Sequence, residues 1–188
     1  AQLIVEQEWV RPVEMRHASH DNLLAAIRIV PPGGLRQGGG MSFRPRRSAL
    51  FLPASNPRAI EKARGLAADV VILDLEDAVA PDAKITARAA AIAAADQGFG
   101  TRETVIRVNG SDTEWGAADL AAVRDSGAIA LVPKIRNADD VRTCRDRLGC
   151  GTPLWVMIET CEALGRLQDI AEADVQGYVL GVNDLALE

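Results

Sequence analysis

The sequence predicts an α/β fold, a partial (β/α)₈ barrel of the TIM type with about six of its eight βα units present. Six short apolar runs rich in Val, Ile and Leu recur about 25 residues apart between Ser48 and Asp184. Ala-rich stretches long enough for one helix separate them, and alternating βα units imply a parallel sheet whose strands are buried on both faces. Charged groups stand in or at the end of several different runs. Six units also fit a doubly wound sheet, but that fold gathers its site at one switch point, and no GxGxxG turn follows the first run. The spread of polar ends favours the barrel.

The first run, SALFLP, ends at Pro53; Asn56 before Pro57 then reads as a cap ahead of a first-turn proline. The second, DVVILDLE, reaches Glu76, and Pro81 and Asp82 open the helical stretch DAKITARAAAIAAA. The third, TVIRVN, ends at Asn109 and carries Arg107 inside an otherwise apolar segment. The fourth, AIALVPK, ends at Lys134, after which Asn137 precedes Asp139 and Asp140, acids suited to a helix N-terminus. The fifth and sixth, PLWVMIE and GYVLGVND, each stop on a carboxylate, Glu159 and Asp184.

Residues 1–40 lack this rhythm and close with the turn-rich tract PPGGLRQGGG before Met41. They are expected to be a tail or linker of unassigned role ahead of an incomplete barrel domain at 41–188, with Met41 the favoured natural start. LIVEQEWV reads as a strand and HDNLLAAIRIV as a short helix, each without a partner. A barrel typically takes roughly 250 residues. Six units in 188 residues therefore read as a fragment whose sheet leaves two open edges.

With 48% hydrophobic and 25% charged residues, the composition is that of a globular α/β protein. No apolar run approaches the ~18 residues of a membrane span, and no signal-peptide pattern opens the chain. Cys144, Cys150 and Cys161 form no CxxC pair and are odd in number, which suits a reducing cytoplasm and small core or surface roles. The net charge of −5 lies wholly beyond residue 40, an argument against nucleic-acid binding. Against that background Arg44, Arg46, Arg47, Arg58, Lys62 and Arg64 gather around the first strand and its helix. Such a basic rim is what a phosphate-bearing small molecule requires.

Strands of a barrel bring their C-terminal ends to one rim. Adjacent strands lie about 4.8 Å apart, so Glu159 and Asp184 on consecutive ends can share a divalent ion. Magnesium commonly takes one or two carboxylates and keeps its other positions for water and substrate. Arg107 suits a substrate carboxylate, because its planar group donates two parallel hydrogen bonds. Plainer readings compete: strand-end acids are often caps, and Arg107 could instead neutralise Asp74 or Glu76. Those two acids share one strand face by alternation, with Asp77 following, and fit a supporting role better than direct ligation. Lys84 and Arg88, four residues apart, either form a solvated face or pin the LDLED loop. Lys134 could approach the site, but a Schiff-base role is unnecessary beside a metal. His17 and His20 have no third ligand nearby and read as part of a solvated tail.

The segments RRSALFLPASNPRAIEKA, DVVILDLEDAVAPDAKITAR, VIRVNG, VPK, WVMIET and GVNDLA occur in this order from residue 44 to the end. Together they resemble the citrate lyase β-subunit and malyl-CoA lyase-like family of the HpcH/HpaI aldolase superfamily, acyl-CoA lyases on a (β/α)₈ barrel. The resemblance implies a magnesium-dependent carbon–carbon lyase that cleaves a 3-hydroxyacyl-CoA such as citryl-, malyl- or citramalyl-CoA in a retro-aldol or Claisen-type reaction. It implies Glu159 and Asp184 as metal ligands and Arg107 as the substrate-carboxylate ligand. Phe51, Arg58 and Lys62 fall where relatives contact substrate or CoA. The proton-transfer residue is not assignable, because relatives draw that acid from C-terminal residues. A homo-oligomer (trimer or hexamer) or a subunit of a lyase complex, cytoplasmic, with neither nucleic acid nor membrane as partner, completes the expectation. Two other readings stay open: a metal-dependent 2-oxo acid aldolase, which the basic rim disfavours, and a non-catalytic barrel subunit.

Overall fold

The computed structural model describes residues 46–188 and, ahead of them, only the short strands β1 (Leu3–Val5) and β2 (Leu24–Ala26). Six further strands follow: β3 (Ser48–Pro53), β4 (Val70–Asp74), β5 (Glu103–Arg107), β6 (Ile129–Val132), β7 (Leu154–Ile158) and β8 (Gly177–Leu180). Each pairs in parallel with the next. The crossovers carry α1 (Pro57–Ala63), α2 (Lys84–Gln97), α3 (Gly116–Arg124), α4 (Ala138–Leu148), then α5 (Cys161–Gly165) and α6 (Leu167–Glu172), while α7 (Val182–Leu185) follows β8. No helix among the described residues is long and apolar enough to cross a membrane.

Side chains of alternate strand residues build two separate cores. Leu50, Val71, Leu73, Ile106, Val132, Val156 and Ile158 pack outward against the helices. Ala49, Val70, Ile72, Val105, Leu131, Trp155, Met157 and Val179 pack with one another on the other face. Ala49 of β3 and Val179 of β8 come from opposite ends of the six-strand series. They can share one cluster only if the sheet curls, so the six units form a partial barrel. Trp155 fills much of the interior, and a β-carbon at Gly177 would lie 2.7 Å from its ring. Arg46, ahead of β3, stacks on the same ring at 4.9 Å and pairs with Glu103 at the start of β5, closing the N-terminal mouth.

The helix starts follow the expected chemistry. The Asn56 side chain accepts from the Ala59 N–H at 3.1 Å, and that of Asn137 accepts from the N–H groups of Asp139 and Asp140. Pro81–Ala83 form a 3₁₀ turn that leads into α2. Every predicted run after the first overshoots its strand, which stops one to four residues early. The correction matters most at Asp184, which lies in α7 rather than on a strand end.

The N-terminal segment differs from expectation at two points. Leu24–Ala26, within the stretch read as a helix, is a strand antiparallel to β3. Leu3–Val5, within the expected strand, runs parallel to β8. The eight strands form one sheet in the order β1-β8-β7-β6-β5-β4-β3-β2. The edges of β3 and β8 expected to stand open therefore each carry a short strand, because unpaired edge backbone is an acceptor for any segment that can extend beside it. The remainder of residues 1–45, including His17, His20, Met41 and Arg44, lies outside the described residues.

Candidate active site

Alternation decides which polar groups reach the barrel mouth. Asp74, Arg107 and Glu159 each follow an inward-facing residue, Ile72, Val105 or Met157, by two positions, and so point to the same interior. Asp74 and Arg107 are register partners on neighbouring strands. Asp74, 1% exposed, takes the Nε and Nη2 edge of Arg107 in a two-pronged ion pair at 2.8 and 2.7 Å. Nη1 faces Glu76 at 3.2 Å, and the Phe51 ring lies 5.4 Å from the guanidinium carbon. Both acids of the plainer reading therefore stand against Arg107, Asp74 along one edge and Glu76 at Nη1.

Glu76 is buried, which raises the pKa of its carboxyl, against the pull of Arg107 and of Lys134. Lys134 Nζ reaches it at 2.7 Å and Asp77 at 3.6 Å, and the Glu76 hydrogen bond holds that ammonium above its ordinary pKa. Lys84, buried, donates to the carbonyls of Leu75 and Glu76 at 2.8 and 2.7 Å, so it pins the LDLED loop instead of facing solvent. Arg88 pairs with the buried Asp119 at 2.5 Å.

Glu159 is 2% exposed and sits one residue past β7. Its Oε1 accepts the backbone N–H of Lys134 at 2.6 Å, while its Oε2 has no donor. Burial pushes its carboxyl up to about 7; Glu76 and Asp184 add to the rise, and the Lys134 N–H and Arg107 oppose it. Asp184, exposed in α7, comes within hydrogen-bonding reach of Glu159, a contact that favours a proton on Glu159 when no cation stands between them. Gly181 makes the approach possible, since a β-carbon there would lie 2.8 Å from Glu159 Cβ and 3.0 Å from Oε2.

The structure thus brings Arg107, Phe51, Glu159 and Asp184 to one rim, with Asp74, Glu76, Asp77 and Lys134 around them. Among the described residues no group of three or more His, Cys, Asp or Glu is placed to hold a metal ion. Asp74, Glu76 and Asp77 face the cations of Arg107 and Lys134, which leaves Glu159 and Asp184 as a pair that fits magnesium, which often takes no more than two carboxylates. A buried carboxylate oxygen without a donor, beside a second carboxylate, is the local charge a divalent cation would balance.

The basic rim is not one surface. Arg46 and Arg47 precede β3 and bind Glu103 and Asp69 at the opposite mouth. Arg64 ends α1 on Glu61, Gln97 and the Gly98 carbonyl. Arg58 and Lys62 remain, exposed one turn apart on α1 and without a partner among the described residues. The three cysteines are free, Cys144 buried and the others exposed. The Lys134 contacts were missed from sequence, since Glu76, Asp77 and Glu159 are distant from it along the chain.

Residues 47–188 match the family model described as HpcH/HpaI aldolase/citrate lyase. The chain belongs to this family. It is 48% identical over 151 residues to a (3S)-malyl-CoA thioesterase of Cereibacter sphaeroides, an alignment covering 77% of this chain and 51% of the relative. It is 36% identical over 155 residues to the citrate lyase subunit beta of Escherichia coli, covering 75% and 51%. The structure of protein CitE from Mycobacterium tuberculosis in complex with magnesium and acetoacetate superposes with a TM-score of 0.61 at 33% identity, covering 73% of this chain and 54% of that one. The chain spans about half the length of the curated relatives it matches.

Proposed function

We propose that the protein is a magnesium-dependent carbon–carbon lyase that cleaves a 3-hydroxyacyl-CoA bearing a second carboxylate, of the citryl-, malyl- or citramalyl-CoA type. The observation that carries this reading is the donor-free Oε2 of Glu159 beside Asp184 at the barrel rim. Glu159 and Asp184 are the residues that would hold Mg²⁺; when bound, the cation supplies a Lewis acid where negative charge develops on the thioester oxygen. Arg107 orients the substrate. Asp74 takes its Nε and Nη2 edge and Glu76 lies 3.2 Å from Nη1, so the distal carboxylate would take the N–H groups of Nη1 and Nη2 that these acids leave over. Phe51, half-buried beside it, excludes water from one side of that contact. Arg58 and Lys62 are the cations available to the CoA phosphates.

The family and the magnesium-bearing CitE complex support the lyase chemistry. A second reading, hydrolysis of the same class of thioester, is favoured by the 48% relative, a malyl-CoA thioesterase. Both need the same carbonyl polarised and the same carboxylate anchored; they differ in whether a carbon–carbon or a carbon–sulfur bond breaks. Association with itself or with other lyase subunits belongs to the same proposal, as does a cytoplasmic setting for its free thiols, with residues 1–40 as an added segment. The test is substitution of Glu159 and of Asp184 by Ala. Each change is expected to abolish magnesium-dependent turnover while leaving the fold intact, and turnover that survives both changes or ignores a chelator refutes the assignment.

A further inference from the structure

We propose that Lys134 is a positioning residue for the Glu159 carboxylate, acting through its left-handed backbone. The inference rests on Glu159 being one of the two rim acids that take a cation. Among the described residues, Lys134 alone has a positive φ without being glycine, at 55°. A side chain in that region crowds the following carbonyl, and such conformations persist where surrounding contacts over-determine them.

The contacts here do so from both ends of the residue. The Lys134 N–H is the first backbone donor past β6, since Pro133 before it has none. It reaches Glu159 Oε1 at 2.6 Å across the gap between the ends of β6 and β7. The ammonium group then folds back to Glu76 at 2.7 Å and Asp77 at 3.6 Å, anchoring the residue in its turn. One oxygen of Glu159 is thereby fixed and the other left without a donor. A residue 134 relaxed to an ordinary negative φ would aim its N–H elsewhere and release Glu159 to rotate.

Two substitutions separate backbone from charge. Lys134→Gly and Lys134→Val both delete the ammonium group, but glycine accepts a φ of 55° and valine resists it. Amide hydrogen exchange at residue 134 in metal-free protein reads the bond to Glu159 directly. Titration with Mn²⁺, followed by electron paramagnetic resonance, reads its consequence for a divalent cation. Wild type and Lys134→Gly are expected to protect that amide and to bind Mn²⁺ within about threefold of each other. Lys134→Val is expected to lose the protection and to bind at least tenfold more weakly; if it fails to fold, Lys134→Ala makes the same comparison more gently. Equal protection and equal affinity in the Gly and Val (or Ala) variants would overturn the proposal, as would an unprotected amide in wild type. Protection in the expected order with no Mn²⁺ binding by any variant would instead remove the rim as a cation site and leave the positioning role standing.

Discussion

Replacing Glu159 by Gln is expected to stabilise the metal-free protein at alkaline pH. The carboxyl is buried beside Glu76 and Asp184 and is pushed up to about 7 from an ordinary 4.5. In the folded protein it therefore binds its proton more tightly than in the unfolded chain. Linkage fixes the sign: this group's contribution to stability is fully present below about pH 4.5, declines as the pH rises, and is lost above about 7. At about 1.36 kcal/mol per pH unit, the loss is about 3 kcal/mol at pH 8. Gln keeps the acceptor for the Lys134 N–H and carries no charge, so that loss disappears. For a domain of this size, about 3 kcal/mol corresponds to roughly 6–12 °C in Tm. The assay is thermal unfolding of wild type and Glu159→Gln from pH 4.5 to 8, in chelator and then in excess Mg²⁺. In chelator the two are expected to coincide near pH 4.5 and diverge towards pH 8, with the variant more stable. Mg²⁺ is expected to raise the wild-type Tm at pH 8 and to leave the variant unmoved. Parallel pH profiles, or a variant less stable at pH 8, would refute the account of a strained, cation-seeking carboxylate.

Gly181→Ala places a methyl group 2.8 Å from Glu159 Cβ; it is expected to cost about 1–3 kcal/mol and to weaken Mg²⁺ binding at least tenfold by calorimetry. Arg107→Lys keeps the charge but leaves the buried Asp74 with a single point donor in place of two prongs. Its stability is expected to fall by about 1–3 kcal/mol, and kcat/KM on a dicarboxylic thioester by more than tenfold; rates equal to wild type would mean an arginine occupied solely with Asp74. Lys84→Met strips the donor from the Leu75 and Glu76 carbonyls and is expected to lower the urea midpoint by the equivalent of about 2 kcal/mol.

The six central strands were legible because strands buried on both faces are written as nearly unbroken Val, Ile and Leu. Their ends were not, since DLE, RVN and GVND continue past the last ladder bond with residues that look like strand but serve the rim. Glu159 could be placed from its position just after PLWVMI, by alternation from Met157. Asp184 was found by type but misplaced, because the chain turns into α7 within four residues of β8. The supposed basic rim failed for a reason that strand direction could have supplied: residues before a parallel strand lie at its N-terminal mouth, so Arg46 and Arg47 could not join Arg58. Leu24–Ala26 has the composition of a helix, and a sheet edge overrides that preference by offering backbone partners. The φ of Lys134 left no mark in the sequence, since it depends on Glu159, Glu76 and Asp77, which are distant along the chain.

Product analysis decides which bond of the thioester substrate breaks. The purified protein would be incubated with a 3-hydroxy-dicarboxylic acyl-CoA, with Mg²⁺ or with chelator, and all CoA species and organic acids identified by mass spectrometry. A shorter acyl-CoA and an oxo acid are expected in equal amounts, only with Mg²⁺ and intact Glu159. Free CoA with the intact hydroxy acid would contradict this and establish hydrolysis instead.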